Sequence, residues 1–194
     1  MKFIKVVLFF SITAFSCTPQ IITPSGSSVA SLSNKDVIEW SETRKLVWAD
    51  FMGSQPEDSK QNAAVTNCGF GFTSNKVTVV NKPKMTVTNV FNRNLSWVKP
   101  SQINRRELLE HEQLHFDISE LYARKLRKEF LTTNLTYFNI KKKTESIFNE
   151  VHKQYIQRQQ EYESQTNYSL NLQKQSEWIK IIKEELNGLK EYSK

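Results

Sequence analysis

The sequence predicts an α+β fold, a small antiparallel sheet followed by three helices. Three observations predict it. Residues 76–98, KVTVVNKPKMTVTNVFNRNLSWV, alternate β-branched and polar side chains, the period of half-buried strands. From Pro100 onward apolar residues recur at three- and four-residue spacing, the period of amphipathic helices. Strands first and helices afterwards is the order of an α+β chain. Glycine and proline number only five each in 194 residues, so no long low-complexity segment interrupts either half.

The N-terminus reads MKFIKVVLFFSITAFSC. Lys2 and Lys5 form a short basic region, and residues 3–15 form an apolar run too short to span a bilayer. Small residues then precede Cys17, with Phe15 as an unusual member of the motif. This order predicts a lipoprotein-type signal peptide over residues 1–16, with Cys17 lipidated as the new N-terminus. Residues 17–35 are rich in Ser, Thr and Pro without period, and predict a flexible tether. Residues 36–194 then form a single domain. The expected location is the cell envelope, with the body lipid-anchored to a membrane at its periplasmic or outer-membrane face. A Cys17 without lipid would leave the protein secreted.

Within the domain, WSETRKLVWADFMG supplies Trp40, Trp48 and Phe51 as core or docking anchors. AAVTNCGFGFTS reads as a strand in which Gly69 and Gly71 permit a bulge or a close approach of backbone. Lys82-Pro83 marks a turn. Ser101 is placed to cap a helix running from near Gln102 to about Phe130. A second helix covers about Ile140 to Glu163 and a third about Leu172 to Leu189, with TNYSLN between them.

The chain carries a formal net charge of +7. Its lysines are scattered over the C-terminal helices, as in NIKKKTES, which reads as a solvated face. With an export signal and no basic stripe interleaved with aromatics, a nucleic-acid partner is not expected. There are two cysteines. With Cys17 lipidated, Cys68 has no partner and reads as a small buried residue.

The first long helix contains His111-Glu112-Gln113-Leu114-His115, an HExxH motif holding two of the three histidines in the chain. At about 100° per residue the two imidazoles lie about 40° apart and can converge on one metal ion. Imidazole nitrogen suits zinc, and catalytic zinc takes three protein ligands. Glu112 falls about 100° from His111, beside the metal rather than on it, the place of a general base. Arg106, Glu110, Gln113, Asp117, Glu120, Arg124 and Lys128 form a polar stripe turned away from the histidines, which therefore face the interior. Two unpaired imidazoles there are costly, and a shared ion satisfies them. The motif implies a zincin-like domain. Asp117 and Glu120 point the wrong way to ligate, and Ile118 and Leu121 stand where a metzincin extension needs Gly and His. The third ligand must then come from a later element, the candidates being Glu145, Glu150, His152, Glu163 and Tyr168.

Four segments, WSETRKLVWADFMG, AAVTNCG, ELLEHEQLHFDISELYARKLRKE and YESQTNYSLNLQKQSEW, resemble the DUF922 family of bacterial secreted proteins. The resemblance runs from about Trp40 to Trp178, and its most specific part is the block from His111 to Arg124. It implies a zinc-dependent protease acting on a peptide or protein substrate. The family's later block has the form Tyr-Asp-x-x-Thr-x-His-Gly. Here Tyr162, Glu163 and Thr166 match its frame, while Tyr168 stands in place of the histidine and Ser169 in place of the glycine. The resemblance, with the position of Tyr168 in the break between two helices, makes Tyr168 the expected third ligand or a hydrogen-bond donor at the site. Glu163 comes second. The expected function is a zinc-dependent hydrolase in which His111 and His115 bind zinc and Glu112 is catalytic. The strand between Lys76 and Trp97 is expected to pair with an extended substrate. The alternative is a non-catalytic envelope lipoprotein, a binding or structural module with a degenerate or zinc-only site.

Overall fold

The computed structural model describes residues 36–57, 59 and 62–194. The expected signal peptide, tether and Cys17 lie outside the described residues. Five strands and three helices follow in order: β1 (Val37–Glu39), β2 (Ala64–Val65), β3 (Cys68–Ser74), β4 (Met85–Asn92), β5 (Trp97–Val98), α1 (Arg106–Thr132), α2 (Ile140–Thr166) and α3 (Leu172–Gly188). The mixed α+β class, small antiparallel sheets and three helices are as the sequence predicts.

The main sheet has the order β1-β4-β3, antiparallel throughout. Cys68 pairs with Phe91 and Ser74 with Met85, while Val37 pairs with Asn92. The period-two pattern puts Val87, Asn89 and Phe91 of β4 on the buried face. β4 is thus the central strand, with β3 along one edge and β1 along Val90–Asn92 of the other. The outer edge of β3 has no strand partner among the described residues. The β3–β4 register runs unbroken through Gly69 and Gly71, so there is no bulge, and a Cβ at Gly69 would meet nothing. A close approach occurs at Gly53, where a Cβ would lie 2.7 Å from the Asn94 carbonyl oxygen and 2.9 Å from that of Ser96. β2 and β5 pair separately, Ala64 with Val98 and Val65 with Trp97.

α1 lies across the sheet and is buried along most of its length. It begins at Arg106 and not near Gln102, because Pro100–Gln102 forms a separate 3-10 turn. Ser101 makes no cap. Arg105 occupies the N-cap position and its side chain is tied to Glu107 (2.8 Å) and Gln102 (3.1 Å). Leu114, Ile118, Leu121 and Leu126 pack with Phe70, Val87, Tyr155, Tyr162, Trp178 and Ile182 into the larger core. A second core joins Leu46, Phe51, Cys68, Phe91 and Phe116, with Trp40 and Trp48 against it. Cys68 is buried, as expected, and forms no disulfide among the described residues.

The polar stripe of α1 is turned from the histidines, but two of its members do not face water. Glu120 and Arg124 are buried. Glu120 accepts from Arg124 (3.2 Å), Arg127 (2.8 Å) and Asn89 (3.3 Å), and Arg124 also donates to the Leu186 carbonyl (2.7 Å). Asp117 accepts from the Trp40 indole at 2.7 Å and from Gln113 at 2.9 Å. This network stitches the sheet, the residue 40–46 segment and α3 to one side of α1, leaving the other side for the site.

Candidate metal centre

α2 packs antiparallel on α1, and Val151, Tyr155, Gln159, Tyr162, Glu163 and Thr166 form its buried face at helical spacing. Three of these are polar, and two of the three, Gln159 and Glu163, meet the histidines of α1. His111 Nε2 and His115 Nε2 lie 3.2 Å apart. Glu163 Oε1 is 2.8 Å from His115 Nε2, and Oε2 is 3.5 Å from His111 Nε2. All three side chains are buried, and their candidate donor atoms lie within 4.8 Å of one another.

The far sides of the two rings set their protonation. Gln159 Nε2 donates to the His115 carbonyl at 3.0 Å, which fixes its amide so that Oε1 faces His115 Nδ1 at 2.6 Å. His115 therefore carries its proton on Nδ1, and Nε2 presents a lone pair. At His111 the Tyr162 hydroxyl donates to Gln175 Oε1 (2.6 Å), and Nδ1 lies 2.8 Å from that hydroxyl and 3.0 Å from Gln175 Oε1. Both neighbours accept from Nδ1–H, so His111 Nε2 also presents a lone pair. Tyr162 stacks on the His111 ring, centroids 4.7 Å apart.

Two nitrogen lone pairs and a carboxylate thus face one point. Apart from these imidazoles, no donor reaches either Glu163 oxygen. A buried group of acceptors without a donor is unfavourable unless a cation sits among them. In its metal-free form a proton fills part of that need. Burial pulls the His115 imidazole down, but the carboxylates of Glu163 and Glu112 outweigh it and raise it to about 9. Burial would push Glu163 up, yet His115 and His111 hold it down, to about 2. Burial keeps the Tyr162 hydroxyl well above its ordinary range, so it stays a neutral donor. The donor set, two imidazoles and one carboxylate, fits a divalent transition metal, and the separations suit ligands about 2 Å from one ion.

Glu112 is also buried, and its charge is felt by both His115 and Tyr162. Thr66, just before β3, donates to the Glu112 carbonyl at 3.3 Å, and the Cys68 thiol donates to that of His115 at 3.6 Å. These contacts seat the motif under the start of β3. A cavity of about 720 Å³ lies on the opposite side of α1, lined by Trp40, Leu109, Gln113 and Ile182 among others, and by none of the three candidate ligands.

The place expected for Tyr168 is taken by Glu163. α2 continues to Thr166, further than the sequence suggests, and Asn167, Tyr168 and Ser169 then adopt left-handed backbone with φ of 48°, 54° and 71°. This turn, closed by Tyr168 N–H to the Glu163 carbonyl (3.1 Å) and Asn171 N–H to that of Thr166 (2.7 Å), leaves the Tyr168 side chain 61% exposed. His152 sits elsewhere, stacked on Phe148 with ring centroids 5.5 Å apart, and Glu145 and Glu150 are exposed. The supporting residues Gln159, Tyr162 and Gln175 are not among the sequence-derived candidates. Their signal is a polar residue on the otherwise apolar face of a helix.

No curated protein and no solved structure matches the chain. The family model described as bacterial protein of unknown function (DUF922) matches residues 52–169, from Met52 through the motif and Glu163 to Ser169. That span is more than half of the chain and holds all three candidate ligands, and the chain belongs to the DUF922 family.

Proposed function

We propose that the protein is a zinc-dependent hydrolase of zincin-like type, acting on peptide or protein substrates and held at the cell envelope by a lipid on Cys17. The observation that carries the reading is the convergence of His111 Nε2, His115 Nε2 and the Glu163 carboxylate on one buried point, with a second acidic residue, Glu112, near them. Zinc held there supplies a Lewis acid that lowers the pKa of water and polarises a carbonyl. Gln159, Tyr162 and Gln175 hold the imidazoles in the ligating tautomer. Glu112 takes the proton of the attacking water and passes it to the leaving nitrogen. The outer edge of β3 offers backbone groups to an extended substrate. The order of basic, apolar and small residues before Cys17 supports the anchor. Labelling with a fatty-acid analogue should mark the wild type and not Cys17→Ala.

The test is metal content by mass spectrometry, with hydrolysis of unfolded proteins, for wild type and Glu112→Gln. Both should hold zinc and only the wild type should hydrolyse. Zinc in both with no turnover sensitive to Glu112 would establish a second reading, a binding or structural module. Two observations favour that reading: the three ligands are only 3–6% exposed, and Tyr168 and Ser169 replace the family's His-Gly.

A further inference from the structure

α1 and β3 run the same way along the molecule. The Cys68 thiol meets the His115 carbonyl near the metal centre, and Phe72 meets Phe130 further on, ring centroids 5.0 Å apart. α2 runs back, with Phe148 beside Phe72 (5.4 Å) and Gln159 beside His115. The β3–β4 hairpin and the α1–α2 connection therefore emerge from one end, which α1 carries about 25 Å beyond His115.

The chemistry of that end is uniform. Residues 74–92 contain Lys76, Lys82 and Lys84 and no acid, and residues 130–144 contain Lys141, Lys142 and Lys143 and no acid. All six lysines are exposed, and Glu129 and Glu145 stand only at the margins. Among the lysines are exposed apolar side chains. Val80 is 91% and Phe138 86% exposed, with Val79, Leu131 and Tyr137 alongside. Tyr137 and Phe138 stand edge to face, centroids 5.4 Å apart. In sequence the lysines of NIKKKTES read as a solvated helix face. The fold sets them beside a second acid-free segment with aromatic and aliphatic tips.

We propose that this end docks on an anionic lipid bilayer, with Val80 and Phe138 entering the headgroup layer and the six lysines above it. Near-complete exposure places the apolar groups on projections rather than in a groove, a shape that a bilayer accepts. Lysine beside aromatic residues is the composition of an interfacial surface. The positive sign selects anionic headgroups, with about a fivefold gain in affinity for each lysine near the surface. The metal centre then faces away from the membrane. The inference is independent of metal and of hydrolysis.

The experiment measures partition of the full chain onto phosphatidylcholine vesicles with and without about 30 mol% phosphatidylglycerol. Four proteins are compared: wild type, Lys76→Gln/Lys82→Gln/Lys84→Gln, Val80→Ser/Phe138→Ser, and a control with Lys153→Gln/Lys180→Gln/Lys183→Gln elsewhere on the surface. All four share the N-terminal residues, so their ratios isolate the patch. The hairpin triple variant should bind anionic vesicles at least about tenfold more weakly than wild type, and more weakly than the control of equal charge. The apolar pair should lose affinity too, with an unchanged melting temperature. Equal partition of wild type and hairpin variant overturns the proposal. So does a loss matched by the control, or a loss seen on duplex DNA and not on vesicles.

Discussion

Gln159 grips His115 from two sides: its amide oxygen takes the Nδ1 proton at 2.6 Å while its nitrogen donates to the carbonyl of the same residue at 3.0 Å. Ring and backbone are fixed together, so Nε2 cannot turn from the site. Gln159→Leu, of similar size, removes both bonds and strands a buried N–H. Zinc affinity, read by competition with a coloured chelator, should fall by about 10- to 100-fold. An unchanged affinity in a normally folded variant would show that the ring needs no such hold.

Glu163 and Tyr168 separate in the same assay. Glu163→Ala should lose most of the metal, because two imidazoles seldom hold zinc against water. Tyr168→Phe should retain it, and Tyr168→His should not tighten it, since that side chain points outward from a left-handed turn. A gain of affinity in Tyr168→His would return Tyr168 to the site.

The proton and the metal compete for the same point. His115 is raised from 6.5 to about 9 in the metal-free protein, so its stabilisation is complete below about 6.5 and is lost as pH rises through about 9. Glu163 is lowered from 4.5 to about 2, so its contribution is present above about 4.5 and is lost as pH falls through about 2. The metal-free pair is therefore best satisfied between about 4.5 and 6.5. Chelation should lower the melting temperature more at pH 9 than at pH 6. Zinc affinity should rise with pH up to about 9, with about one proton released per ion bound near neutrality. Calorimetry in buffers of different ionisation enthalpy counts that proton, and a value of zero would contradict the arrangement.

Glu120 anchors the other side of α1. Glu120→Ala removes the shared acceptor of Arg124 and Arg127 inside the protein, and should cost about 3–5 kcal/mol in urea unfolding. Glu110→Ala, at an exposed pair with Arg106, should cost less than about 1 kcal/mol. Similar costs for the two would mean that the Glu120 network is not the internal tie described above.

His111, Glu112 and His115 are legible in the sequence because their geometry is local: spacing on one helix decides which way they face. Glu163 is harder to choose, because its place depends on how two helices 27 residues long dock, and on α2 lasting one more turn. Helical spacing alone does put Gln159 and Glu163 on the face of Val151 and Tyr155, and that is the signal a sequence offers. The stripe from Arg106 to Lys128 has the same spacing whether water or an internal network satisfies it, so the burial of Glu120 is not legible. Nor is the central place of β4, which depends on the three-residue strand β1, too short to show a period.

Residues 115 and 163 lie far apart in the chain, and Cys68 has no disulfide partner among the described residues. An ion shared by His115 and Glu163 is then a crosslink closing a loop of about 50 residues, comparable to a disulfide that removes about 4 kcal/mol of unfolded-chain entropy. It differs from a disulfide in being opened by a chelator rather than by a reductant. With an ion bound there, the protein would tune its resistance to unfolding by the free metal around it, whatever the redox state of its surroundings.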